Sequence, residues 1–163
     1  MRNLTATLCL TLAVLLGSAG MSVSQDFMKG FDAWDRGDFA IALREWTPLA
    51  EQGDAVAQYN LGQMYHNGDG VPQDYKTTVK WYTLAAEQGD AYAQSNLGLM
   101  YANGDGVLQD YVYAHMWFNI AASSGHKNAS KNRDIVAERM TPADISAAQD
   151  LTRECVGKNY KGC

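Results

Sequence analysis

Residues 91–126, AYAQSNLGLMYANGDGVLQDYVYAHMWFNIAASSGH, rewrite residues 55–90, AVAQYNLGQMYHNGDGVPQDYKTTVKWYTLAAEQGD: at an offset of 36, 20 of the 36 positions are identical. A unit of this length holds two short helices and a turn, and its apolar face can be covered only by a neighbouring unit. The repeat therefore predicts an all-α fold, a solenoid of stacked helix pairs, whose function resides in a surface.

Within the unit, Gly53-Asp54 and Gly89-Asp90 each join a residue tolerant of positive φ to a carboxylate that caps the following helix. The first helix of each unit is expected over about 55–66 and 91–102. Its core stripe is Ala57, Leu61, Met64 and Tyr65, repeated as Ala93, Leu97, Met100 and Tyr101. Gly62 and Gly98 interrupt it at about 1 kcal/mol each, a cost that makes sense if the partner helix approaches closely there. The linkers NGDGVPQD and NGDGVLQD lead to second helices over about 74–88 and 110–124, capped by Asp74 and Asp110. Their stripes are Tyr75, Thr78, Tyr82, Ala85 and Ala86, then Tyr111, Ala114, Phe118, Ala121 and Ala122, flanked by Trp81 and Trp117. An EF-hand register would put Tyr65 and Lys76 where acids are needed, so the Asn and Asp residues read as turn formers, not calcium ligands.

The pattern continues outward with decay. Asp38 to Gln52 reads as another second helix, paired with about Asp26 to Arg36 through Arg36-Gly37. Downstream, a helix over about 127–139 precedes Thr141-Pro142-Ala143-Asp144, a cap with Pro and an acid in the first turn, which opens a closing helix to about Val156, stopped by Gly157. The expected layout is repeats at about 25–54, 55–90 and 91–126, a degenerate cap at 127–156 and a tail at 157–163.

Residues 1–24 have one cation, Arg2, an apolar run from Leu4 to Leu16 and a small-residue segment GSAGMSVS, the layout of a secretory signal peptide cleaved after Gly20 or Ser24. A periplasmic or secreted protein without a stable membrane anchor is expected, Cys9 being discarded with that segment. Its removal leaves 12 basic side chains against 18 acidic, a formal charge of −6 with no Lys/Arg run, which argues against nucleic acid as partner. Cys155 and Cys163 then remain, without a C-x-x-C spacing; in an oxidising compartment they are expected to form a disulfide that ties down the tail.

The run A-x-A-Q-x-N-L-G-x-M-Y-x-N-G-D-G-V-x-Q-D-Y followed by W-[YF]-x-x-A-A-x-x-G resembles the Sel-one-like repeat, an α-solenoid relative of the tetratricopeptide repeats, over Ala55 to Gly125. HMWFNIAA followed by NRDIVAERMTPADI looks like the ending of short bacterial members. The resemblance implies right-handed stacking of antiparallel helix pairs, a concave face lined by the first helices, and a role in holding other proteins together, often at a bacterial envelope. The cysteine-rich branch of the family carries a disulfide in each repeat; the repeats here contain no cysteine.

The function expected is a non-catalytic scaffold binding a protein or peptide partner, with no cofactor or metal. Opposite the core stripe, helical geometry places Val56, Tyr59, Gln63 and His66, then Tyr92, Ser95, Leu99 and Ala102, with Asn60 and Asn96 at the edge. The first four pairs differ between copies whose framework is alike, and the Asn60/Asn96 pair does not. The alternative is a periplasmic hydrolase of cell-wall or β-lactam substrates: Ser124-Gly125-His126-Lys127 fits S-x-x-K, but no S-D-N or K-T-G accompanies it and Ser124 falls at a helix terminus. His66, His115 and His126 share no metal-ligand spacing, and His115 stands where the first copy has Val79.

Overall fold

The two copies fold as two helix pairs of the same design. The structure, a computed structural model, describes residues 26–163, so the expected signal segment, its cleavage site and Cys9 lie outside the described residues. The helices are α1 (26–35), α2 (Phe39–Glu51), α3 (Ala55–Asn67), α4 (Tyr75–Ala86), α5 (Ala91–Asn103), α6 (Tyr111–Ser123), α7 (Ala129–Ala137) and α8 (Pro142–Gly157). From α2 to α7 each packs on its neighbours in sequence, and α8 returns to α6, an all-α solenoid with a capping helix; no strand occurs among the described residues.

Local chemistry sets the helix ends as expected. The Asp54 and Asp90 carboxylates accept from the Ala57 and Ala93 N–H groups at 2.8 and 2.7 Å, and Asp74 accepts from Lys76 and Thr77 N–H and from the Thr77 hydroxyl. That hydroxyl, then the N–H groups, hold the Asp74 carboxyl below its usual range. Gly68 and Gly104 end α3 and α5 in the left-handed region, at φ 81° and 80°. Thr141 and Asp144 form a reciprocal capping box on α8.

The pairs are set by aromatic rings lying on glycines. A Cβ on Gly62 would stand 2.5 Å from the Tyr82 ring, and one on Gly98 2.8 Å from the Phe118 ring. Around these crossings Leu61, Met64, Tyr82, Leu97, Met100, Phe118 and Trp117 are almost fully buried. Tyr65 and Tyr101 are half-buried rather than central: Tyr101 stacks on Tyr113 at 5.2 Å, at the margin of the stripe. Trp81 and Trp117, expected as flanking residues, are core. The reason in the second copy is α8, which covers α6 on a further side and buries Met116, Trp117 and Ile120 with Cys155.

A glutamine relay ties consecutive pairs. Gln58 donates to the Ala50 carbonyl at 3.0 Å and Gln94 repeats this to Ala86 at 3.1 Å. Gln88 reaches back to give the Gln58 Oε1 a donor at 2.8 Å. The residue 36 positions after Gln88 is Ser124, too short to make the equivalent bond, and Gln94 Oε1 is buried without a partner.

The tail is bonded as expected and reaches further than expected. Cys155 and Cys163 form a disulfide with Cα atoms 5.5 Å apart, worth about 2 to 3 kcal/mol by loop entropy. The helix runs through Gly157; the reversal falls to Asn159, Tyr160 and Gly162, all at positive φ. Tyr160 packs against the middle core, beside Gly89. The Gly162 N–H donates to Glu87 at 2.9 Å, across 75 residues of sequence.

His115 is 4 % exposed, and its Nδ1 has no partner. Burial depresses its pKa, the Arg133 guanidinium adds to this, and Asp134 opposes it. Below the ordinary imidazole value of 6.5 the unfolded chain therefore takes up a proton that the folded one resists. Stability should fall as pH drops below that value, and His115→Val, borrowing the first copy's residue, should reduce the fall, as urea titrations at about pH 7.5 and about pH 5 would read. Leu97→Ala should cost about 2 to 5 kcal/mol. Ser124→Gln should instead stabilise by about 1 kcal/mol by supplying Gln94 with its missing donor, measured by chemical unfolding followed by circular dichroism.

Candidate functional site

A cleft of about 430 Å³ opens between α3 and α5, with the Tyr82 ring of α4 at its floor. The walls are Gln63, His66 and Asn67 from α3, and Asn96, Leu99 and Asn103 from α5. The repeat produces this arrangement directly: α3 and α5 run as successive copies of one helix, and the α4 ring that fills the glycine notch of α3 rises between them.

Four of the surface residues expected from sequence thus share one cleft: Gln63, His66, Asn96 and Leu99. Tyr59 stands behind them. Its ring stacks on Tyr82 at 5.8 Å, its hydroxyl accepts from Gln63 Nε2 at 2.7 Å, and the Asn96 amide faces both phenols. Burial raises the Tyr59 pKa, the Asp90 charge adding to it, and burial raises that of Tyr82 strongly. Both hydroxyls therefore stay protonated at neutral pH. The site is a set of hydrogen-bond donors and acceptors with Leu99, 41 % exposed, as its apolar contact and Asp105 as its acidic rim.

The remaining expected residues divide. Val56 is exposed and Asn60 half-buried. Tyr92, 62 % exposed, lies 6.0 Å from the Tyr59 ring on one side and meets His126 edge-on at 5.1 Å on the other. Ser95 departs from the expectation. It is buried, because the copy that exchanges tyrosine for serine loses the side chain that reached outward, and what remains lies inside the packing. The sequence does not single out Tyr82, which its stripe places in the core, or Asn67, Asn103 and Asp105, which it places in the turn. Asn67 and Asn103 do bond Asp69 and Asp105 at 3.1 Å, and Gln73 and Gln109 bond the His66 and Ala102 carbonyls, so the linkers are held by their own polar groups.

Ser124, the candidate nucleophile of the alternative reading, caps the C-terminus of α6, its N–H bonded to the Ile120 carbonyl at 3.1 Å. With Tyr92, His126 and Lys127 it lines a shallow recess of about 480 Å³.

The Sel1 repeat family model matches residues 55–90 and 91–126. A protective antigen of uropathogenic Escherichia coli strains, with an SLR fold, is similar at 27 % identity and a TM-score of 0.79 over 85 % of this chain. A Sel1 repeat protein from Oxalobacter formigenes is similar at 32 % identity and a TM-score of 0.63 over 66 % of this chain. The chain spans 31 % and 44 % of the lengths of those two proteins. No curated protein resembles it closely enough to match. Two matched copies, the helix-pair packing and these neighbours identify residues 55–126 as two Sel1 repeats.

Proposed function

We propose that this chain is a non-catalytic scaffold that binds a partner protein or peptide along the face carrying α3 and α5, in the periplasm or outside the cell. Sel1 repeats generally mediate protein–protein interaction, and one observation carries the specific reading. The two copies keep their framework and change the outward positions of this face: Gln63 against Leu99, His66 against Ala102, Val56 against Tyr92. A constant frame with variable groove residues is what specificity for a partner requires. The location is supported by the layout of residues 1–24 and by the disulfide. A relative described as a protective antigen is in keeping with it.

Tyr92 and Leu99 are the exposed apolar anchors of this face, and truncating each should cost about 1 to 4 kcal/mol of binding. Tyr92→Ala with Leu99→Ala should abolish recovery of the partner by crosslinking and affinity capture from the envelope fraction, leaving the melting temperature nearly unchanged. Tyr59→Ala should lower both, since its ring is part of the packing on Tyr82. Capture at full strength by the double variant would move the site to the linkers at 67–74 and 103–110. Turnover of a chromogenic β-lactam or of peptidoglycan fragments, lost in Ser124→Ala without loss of stability, would replace the scaffold by the hydrolase.

A further inference from the structure

Advancing the cleft by 36 residues gives it again, one unit further along and in different chemistry. Gln63 becomes Leu99, His66 becomes Ala102, Tyr82 becomes Phe118, Leu99 becomes Ile135 and Asn103 becomes Arg139, while the amide of Asn96 persists as Asn132. The second recess lies between α5, α6 and α7 and measures about 160 Å³. A cavity of about 150 Å³ is enough for a benzene ring, so one apolar side chain fits.

Its floor is Phe118 and Val136, both buried, and its mouth is flanked by Leu99 and Ile135, which are 41 % and 47 % exposed. At the edge stands Arg139, which donates to the Tyr111 hydroxyl at 3.1 Å and lies 5.9 Å from that ring's centre. No carboxylate lines this recess, whereas Asp105 lines the first. The ion pairs among the described residues do not include Arg139, and the adjacent Glu138 forms none with it. In a chain of net charge −5, a cation that feels Glu138 nearby but is held by no ion pair, set beside an apolar mouth, is a complementary field for an acid.

We infer that this recess takes an apolar side chain of an extended partner segment whose neighbouring residue is Asp or Glu, the carboxylate resting on Arg139. Asn103 and Asn132, on the recess walls, supply amides to the segment's backbone. The first cleft then receives a polar side chain of the same segment. Helices of this kind stand about 10 Å apart, and a segment in the extended polyproline II conformation advances about 3.1 Å per residue with about three residues per turn, which sets the polar side chain about three residues away on the same side. The inference rests on the reading of this face as a peptide-binding surface and names what it binds.

The test is a selection of random linear peptides displayed on phage against the full chain and against Arg139→Gln, a surface substitution. Synthetic peptides carrying Leu-Glu, Leu-Lys or Ala-Glu at the anchor are then titrated by fluorescence polarisation. Selected sequences should be enriched in an apolar residue beside an acid. The Leu-Glu peptide should bind about tenfold more tightly than Ala-Glu and about threefold more tightly than Leu-Lys at low salt. Arg139→Gln should erase the second difference and keep the first. Apolar enrichment without an acidic preference, or an acidic preference that survives in Arg139→Gln, overturns the inference. Peptides that bind without an apolar anchor, perturbing Gln63 and Asn96 in NMR spectra but not Ile135 or Val136, overturn it while leaving the scaffold reading in place. Absence of any selected peptide, together with intact partner capture by Tyr92→Ala with Leu99→Ala, overturns the inference and moves the scaffold's site off this face. A concentration-dependent dimer in sedimentation that buries Leu99 and Ile135 assigns the recess to a second copy of this chain instead.

Discussion

An aromatic ring seated on a glycine is the contact on which the rest of the molecule depends. Tyr82 on Gly62 and Phe118 on Gly98 bring each helix pair to a separation that no other residue at the glycine positions would allow. The helix loses about 1 kcal/mol of propensity at each glycine, and burial of a ring of this size recovers it and more. The same contact aims the ring edge between α3 and α5, so Tyr82 is at once the key of the packing and the floor of the cleft. Framework and binding surface are therefore two sides of one side chain.

The second copy shows what happens to a repeat at the end of an array. α4 keeps Lys76, Thr77 and Lys80 on its outward face; α6 has Val112, Tyr113 and Met116 at the same places. An interior helix that is apolar nearly all round must be covered nearly all round, and α8 supplies the cover. Burial of His115 with an unpaired nitrogen, and of Gln94 with an unpaired oxygen, are the costs of fitting a repeat sequence into this different environment.

The repeat made the helices, their caps and the close crossings legible, because each was written twice in residues with strong local meaning: Gly, Asp, and apolar positions at helical spacing. The disulfide followed from two cysteines and a compartment. The margin of the core was harder to read. Tyr65 and Tyr101 look interchangeable with core leucines in a stripe, yet a ring at the edge can stack sideways, as Tyr101 does on Tyr113. Helical angle alone puts Ser95 on the outer face, but exposure also depends on how far a side chain reaches. The clefts themselves were half-legible. The divergence of Gln63 and Leu99 pointed to a surface, but only packing could show that each cleft borrows its floor from the intervening helix. The loss of charge along residues 111–123 relative to 75–87 is itself a sign that something packs there.

An array whose units touch only their neighbours unravels from its ends, one unit at a time. The closed loop at Cys163, hooked onto Glu87 and packed beside Gly89, connects the last turn of the chain to the junction before the final repeat. Fraying of α8 must then also break the tail's contacts at the α4–α5 turn, which couples the end of the array to its middle. Pulled from its C-terminus, such a chain takes the force through the disulfide at Cys155, inside the fold on α8, and not at the tip of a loose tail.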